Sequence, residues 1–507
     1  MTAEMTVGPT AAGADRVVIP AGTLGLVVEL CDALAATGVR YCHWKSNDAL
    51  DRSARGDNDL DLLVHRSDGQ SFGEILARLG FREARLPPAR EHPGVSHHYA
   101  LDGPSGRFVH IHAHFQLVVG DDMTKNYRLP IELPYLASVQ GGQLFPVPAP
   151  EFELAVFVVR MMLKHATWDA VAFGNGRMGA AERRELTWLA DRADPDRTLD
   201  VVREHLPGLG TDLWERCLAS LQPSRSIVQR TATGREMLRA LTPHARRSAS
   251  VDTWLRVARR GMWGTKHYVL RRPTRKRLAR VGATVAVVGG DGAGKSTAVA
   301  GLTDWLDSTL VVRRTHLGKP RPSLLTLAIK GPMYVGRAAG LLPSTGLTVD
   351  PRTAQPEDFP GRAWAVWQLL TARDRRREYH RARKVADAGG IVLSDRWPLR
   401  QISLMDGPRT TWLAPHLNGG GGVVRRLVSA EGRCYANVAP PDVLVVLRVD
   451  PEVAVARRTD EEAGFVRRRN SEIHAVDWTG TGAVVIDASQ PADEVLAQIR
   501  RVVWERL

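Results

Sequence analysis

Cysteine is scarce in this chain, and the four present (Cys31, Cys42, Cys217 and Cys434) lie far apart with no CxxC pair. That argues against both a disulfide framework and a cysteine zinc site, and a reducing cytoplasm is the expected location. Long apolar runs are also missing. The nearest approach to a membrane span, Leu324 to Leu342, is interrupted by Lys330 and Arg337. The opening residues, MTAEMTVGPTAAGADR, lack a charged start followed by an apolar block, so residues 1–16 read as a disordered lead-in and not as a signal peptide. With 44% hydrophobic residues over 507 positions, the composition is that of a globular protein too long for one core.

Acidic residues are depleted in one segment. Between Arg225 and Arg280 there are sixteen Lys and Arg against two acids, Glu236 and Asp252, and the rest of the chain balances at 53 of each sign. The net charge of +14 is thus a local property. Residues 224–280 read as a basic linker, in which Val251 to Arg260 has helical spacing with Trp254 and Val257 opposite the arginines. A solvated cationic face, an interfacial helix beside anionic lipid, and a cover for nucleotide phosphates all fit this pattern. Nucleic acid is the least expected partner, because neither a stacking platform nor a reader motif accompanies the charge.

The stretch ATVAVVGGDGAGKSTA, Ala283 to Ala298, carries the most chemistry. Thr284 to Val288 is a β-branched run of the kind buried on both faces of a parallel sheet. Gly289, Gly290, Asp291, Gly292, Ala293, Gly294, Lys295 and Ser296 then satisfy GxxxxGK[ST], and Thr297 continues into a helix. Glycines let successive backbone N–H groups wrap an anion at the helix amino terminus. In such a loop Lys295 reaches the β and γ phosphates of ATP and Ser296 ligates Mg²⁺.

Two further regions precede this one. Residues 17–148 form an α/β pattern. In it Leu24–Thr37 has helical spacing, Val39–Trp44 reads as a strand, and GDNDLDLLV alternates Asp59 and Asp61 with leucines at strand period. That puts both carboxylates on one face, where a pair can hold divalent metal. Arg107 to Leu117 presents His110, His112 and His114 on one strand face, either as metal ligands or as a polar surface. Residues 149–223 turn helical over Glu151–Leu163, Ala180–Asp191 and Asp212–Leu221, with Trp168, Trp188 and Trp214 expected to pack.

HWKSN followed by GDNDLDLLV resembles the nucleotidyltransferase superfamily, which implies an α+β amino-terminal domain with Mg²⁺ at Asp59 and Asp61 and Ser46 near the triphosphate. That family's Gly-Ser pair is here Lys45-Ser46, and its third carboxylate has no clear counterpart. Residues 281–507 resemble thymidylate kinases. The matching blocks are the loop, an apolar helix running into Asp374-Arg375, a strand capped by Asp395-Arg396-Trp397, and VLVVLRVDPEVAVARR before a lid-like segment. The resemblance implies a P-loop NTPase parallel sheet flanked by helices. It implies that Asp395 holds magnesium through water, that Arg396 contacts phosphate, and that Arg375 holds the acceptor phosphate. Arg457 and Arg458, with Arg467, Arg468 and Arg469, would neutralise the transferred phosphoryl group, and Asp291 would face the acceptor. The acceptor-side elements depart from the family, since Arg314-Thr315-His316-Leu317-Gly318-Lys319-Pro320 replaces Arg-Glu-Pro-Gly-Gly.

The expectation is therefore a kinase of the nucleoside monophosphate kinase class. It would use ATP and Mg²⁺ on a small phosphorylated acceptor, a nucleoside monophosphate or a sugar phosphate. The competing readings are a nucleotidyltransferase acting through Asp59 and Asp61 with a regulatory kinase-like domain, and a nucleotide-gated adaptor at an anionic membrane. A homodimer is a further partner expectation.

Overall fold

The structure, a computed structural model, describes residues 18–174, 176–222, 226–265, 275–318, 320–338, 359, 361–399, 401–402, 407–411, 415 and 422–507. The lead-in at 1–16 and Lys319 lie outside these, as do Arg271 and Arg272 of the basic segment. The chain divides into two compact units, Met1–Thr274 and Arg275–Leu507. No helix among the described residues is long and apolar enough to cross a membrane.

In the first unit, strands β1 (Tyr41–His43), β2 (Leu60–Val64), β3 (Arg82–Arg85), β4 (Val95–Asp102) and β5 (Arg107–His114) line up in the order β1-β2-β5-β4-β3. Only β2 and β5 run parallel; the other neighbours are antiparallel. Leu60 and Leu62 point into a core completed by Val27, Leu30 and Leu34 of helix Gly25–Ala36 and by Phe72 and Ile75 of helix Gly69–Arg78. A short ribbon of β6 (Val118–Val119) and β7 (Tyr127–Arg128) leads to the helical part. There helix Pro150–His165, apolar nearly all round, is buried along most of its length and joins helices Ala180–Ala190, Pro195–His205 and Thr211–Ser220 in a second core. All four cysteines are buried and free.

The basic stretch folds differently from its pattern. Helices Ile227–Ala240 and Ala249–Gly264 fall within the first unit. Trp254 is 68% exposed, while Arg256 and Arg260 are buried. Arg256 forks onto Asp169, with Nε to Oδ2 and Nη2 to Oδ1 both at 3.0 Å, and also meets Asp252; Arg260 pairs with Asp169 and Asp121. The expected arrangement, apolar residues inward and arginines solvated, is inverted at these positions. Buried carboxylates left without cations cost more than an exposed indole, so the arginines take the interior. Arg230 is buried too, donating to the carbonyls of Ser220 and Gly176. Trp168 was expected to pack but is 52% exposed, because its neighbour Asp169 takes the buried position on that short helix. Trp214 is buried and Trp188 packs at the margin of the helical core.

The second unit begins with β8 (Arg277–Leu278) and is built on a five-stranded sheet of β9 (Ala283–Gly289), β10 (Val312–Thr315), β11 (Ile391–Ser394), β12 (Val443–Arg448) and β13 (Val484–Asp487). Its order is β10-β11-β9-β12-β13, and every neighbouring pair is parallel. All seven residues of β9 are buried, as a central strand covered on both faces must be. Helices Lys295–Asp307, Arg362–Asp387 and Ala492–Arg506 flank the sheet. The connection leaving β9 runs to β10 on one side, whereas the one leaving its neighbour β11 crosses to β12 on the other. The carboxy end of β9 is therefore a switch point, where open parallel sheets leave a crevice.

Candidate active site

That crevice begins where β9 ends. The chain turns through Gly290–Gly294 and enters the helix at Lys295. Gly292 and Gly294 sit at φ +81° and +80°, a left-handed conformation that a side chain resists. A Cβ on Gly292 would come 2.8 Å from the Ala454 carbonyl, so the backbone is pressed close on that side. Around Gly294 the space is open. The first N–H groups of a helix have no intrahelical acceptor, and here they lie at the mouth of this turn. Lys295 is buried, with Nζ donating to the Gly290 carbonyl at 2.6 Å.

Asp395 follows the carboxy end of β11 and brings Oδ2 to 3.5 Å from Ser296 Oγ. Its other oxygen lies 3.0 Å from His316 Nδ1. Burial would raise the Asp395 pKa, but His316 and the Arg396 charge outweigh it and hold the carboxyl below its usual range. Asp291 behaves alike: burial opposes ionisation, and Arg469, Lys295 and Arg396 prevail. Its carboxylate meets Arg469, with Arg396 Nη2 at 3.7 Å and Lys295 Nζ at 3.9 Å. Asp291, Lys295, Ser296, His316, Asp395 and Arg396 share a cleft of about 1010 Å³ with Arg457 and Arg458.

Other residues singled out in the sequence stand apart from this cleft. Gly289 and Gly290 shape the turn from behind, where a Cβ on Gly290 would collide with Asn470. Arg375 is buried, and its guanidinium donates to the carbonyls of Leu317 (2.7 Å) and Gly318 (2.9 Å) and reaches the Tyr435 hydroxyl. It fixes the loop after β10. Arg467 is spent on Glu452, at 2.6 and 2.8 Å, and Arg468 packs over the Phe465 ring.

A second cleft, of about 520 Å³, shares His316 and Asp395 with the first and adds Arg313, Arg314, Thr315, Arg321 and Glu378. Sequence reading passed over Arg313, Arg321 and Glu378. The available signal was the pair of arginines in VRRT, a strand too short to place without knowing that β10 adjoins β11.

On the first unit, Asp59 and Asp61 face bases in place of a third carboxylate. Asp61 stands opposite His112 across β2 and β5. Asp59 Oδ1 lies 2.6 Å from His110 Nδ1, and Asp61 Oδ1 lies 3.2 Å from His112 Nδ1 and 2.9 Å from Lys45 Nζ. Burial works against both charges. It is outweighed by the His110 hydrogen bond at Asp59, and by Lys45 together with His112 and His114 at Asp61, which is held well below the carboxylate range. Ser46 occupies a left-handed conformation, φ 58°, with its N–H bonded to Glu185 at 2.9 Å.

No family model matches the chain. Similar proteins from Escherichia coli (strain K12) include "Uncharacterized ATP-binding protein YghR", 26% identical over 236 residues, which span 43% of this chain and 86% of that protein. Another is "Uncharacterized ATP-binding protein YghS", 24% identical over 227 residues, or 44% of this chain and 93% of that protein.

Proposed function

We propose that the carboxy-terminal unit is a Mg·ATP-dependent phosphotransferase, akin to nucleoside monophosphate kinases, that moves the γ-phosphoryl group to a small phosphorylated acceptor. One observation carries this reading. A glycine turn ending in Lys295 opens onto the same cleft as Ser296, Asp395, Arg396, Arg457 and Arg458, and that cleft adjoins a second, arginine-lined one. The names of the two relatives, both ATP-binding proteins, are consistent with a nucleotide in the first cleft.

Ser296 and Asp395 suit magnesium. They offer a hydroxyl and a carboxylate, both hard oxygen donors, 3.5 Å apart beside the phosphate turn, and the carboxyl stays ionised at neutral pH. Bound with the nucleotide, the metal would neutralise charge on the β and γ phosphates. The remaining work belongs to the chain. The turn and Lys295 hold the donor phosphates. Arg396, Arg457 and Arg458 offset charge on the group in transit, and the pocket of Arg313, Arg314 and Arg321 orients the acceptor. Arg375 acts at one remove by fixing the Leu317–Gly318 carbonyls beside that pocket.

Lys295→Ala is expected to cut acceptor-stimulated ADP release by at least about 100-fold while leaving the far-ultraviolet dichroism unchanged. Undiminished turnover in that variant would sink the assignment. Screening nucleoside monophosphates and sugar phosphates for stimulation of ADP release identifies the acceptor.

A further inference from the structure

We infer that the amino-terminal unit holds a divalent transition ion of the zinc class on His97, His110 and His112, with Asp59 and Asp61 as orienting partners. The three histidines come from adjacent antiparallel strands, His97 on β4 directly opposite His112 on β5, and His110 two positions earlier on β5. One nitrogen from each ring lies within 4.8 Å of the other two.

Hydrogen bonding selects the coordinating nitrogens. An ionised carboxylate only accepts, so the 2.6 Å contact to Asp59 Oδ1 puts the His110 proton on Nδ1. The 3.2 Å contact to Asp61 Oδ1 does the same for His112. Both rings therefore carry their lone pair on Nε2. This carboxylate–histidine arrangement is the one that fixes tautomer and ring orientation at metal centres. Tyr99 adds rigidity by stacking on His110 at 4.0 Å and 8°.

Spacing fits as well. Metal–nitrogen bonds of 2.0–2.1 Å in a tetrahedron separate ligand atoms by about 3.3–3.4 Å. His97 Nδ1 and His110 Nε2 are 3.4 Å apart. Lys45 Nζ, 2.9 Å from Asp61 Oδ1, offsets the charge of that carboxylate and keeps it as an acceptor for His112. Asp59, its side chain 45% exposed against 13% for His110 and 21% for His112, marks the solvent-facing side of the cluster, from which water or a substrate can supply the fourth donor. Imidazole donors in this number favour zinc, copper, nickel or ferrous iron over magnesium. The DxD motif thereby acquires a role different from direct binding of Mg²⁺ by both aspartates.

The test uses the full chain stripped with a chelator and titrated with Zn²⁺, and with Co²⁺ as a spectroscopic probe. One equivalent should bind, with the visible bands of four-coordinate cobalt. His97→Ala, His110→Ala and His112→Gln should each weaken Zn²⁺ binding by about 100-fold or more, and Asp61→Asn by about 10–100-fold. His380→Ala, an exposed histidine of the other unit, should leave it unchanged. Retained dichroism and an unshifted melting temperature in the metal-free variants separate lost ligation from lost folding. Should one of them unfold, the Asp61→Asn titration and the cobalt spectrum of the unaltered chain decide. Absence of stoichiometric binding overturns the proposal. So does binding that survives the histidine substitutions, or a site that takes Mg²⁺ through Asp59 and Asp61 without His97.

Discussion

Glu153 shows how a single buried group shapes the chemistry of the fold. It sits in helix Pro150–His165, with Oε2 accepting from Asn47 at 2.8 Å and Oε1 buried without a hydrogen-bond partner among the described residues. Burial pushes its pKa up to about 8. The folded state thus keeps a proton that the unfolded chain releases near pH 4.5. The associated stability is fully present below that pH and is lost as pH rises through about 8. Glu153→Gln should remove this contribution. Its melting temperature should match the parent near pH 5 and exceed it by several degrees near pH 8.5, each kcal/mol being worth about 2–4 °C. In the cleft beyond β9, Asp395→Asn keeps the side-chain shape but removes the charge beside Ser296. Steady-state kinetics should show the Mg²⁺ concentration for half-maximal turnover rising about ten-fold or more. Such residues were legible unequally. Lys295, Ser296 and Asp395 announce themselves by motif, whereas Glu153 lies in an apolar run and gains its character only from what surrounds it.

Among the elements, helix Ala249–Gly264 departs most from its sequence pattern. Its arginines look like a solvated face because their carboxylates are remote, Asp169 lying 87 residues from Arg256 and Asp121 lying 139 residues from Arg260. Local periodicity carries no trace of such partners. Breaking one side of a buried ion pair leaves an uncompensated charge, so Asp169→Ala should cost about 3–5 kcal/mol in denaturant unfolding of the first unit. Replacing Asp169 and Arg256 together by apolar residues of similar volume should recover part of that loss. By contrast β9 reads correctly, running from Ala283 to Gly289 around the expected 284–288. A β-branched run between a polar approach and a glycine turn has few other ways to fold.

For the whole molecule, the two units hold separate hydrophobic cores, one set around Leu62 and Phe157 and the other around Val446 and Trp397. Calorimetry should resolve two transitions. Saturating Mg·ATP should raise only one of them, by about 2.7 kcal/mol of stabilisation at a hundred-fold excess over its dissociation constant. A shift in both transitions, or in neither, would contradict a nucleotide site confined to the second unit.

Residue order alone specifies the phosphate turn, the strand before it, Asp59 and Asp61 just before and within β2, and the histidine face of β5. Each is set by local spacing: a glycine turn needs its glycines adjacent, and a strand alternates its faces every residue. Only the tertiary structure decided what those faces meet. It brought His97 from β4 opposite His112, set β10 beside β11 so that Arg313 and Arg314 line a cleft with His316 and Asp395, and turned the arginines of the basic stretch onto buried aspartates. These pairings depend on sheet order and on burial, and so on contacts between residues far apart in the chain.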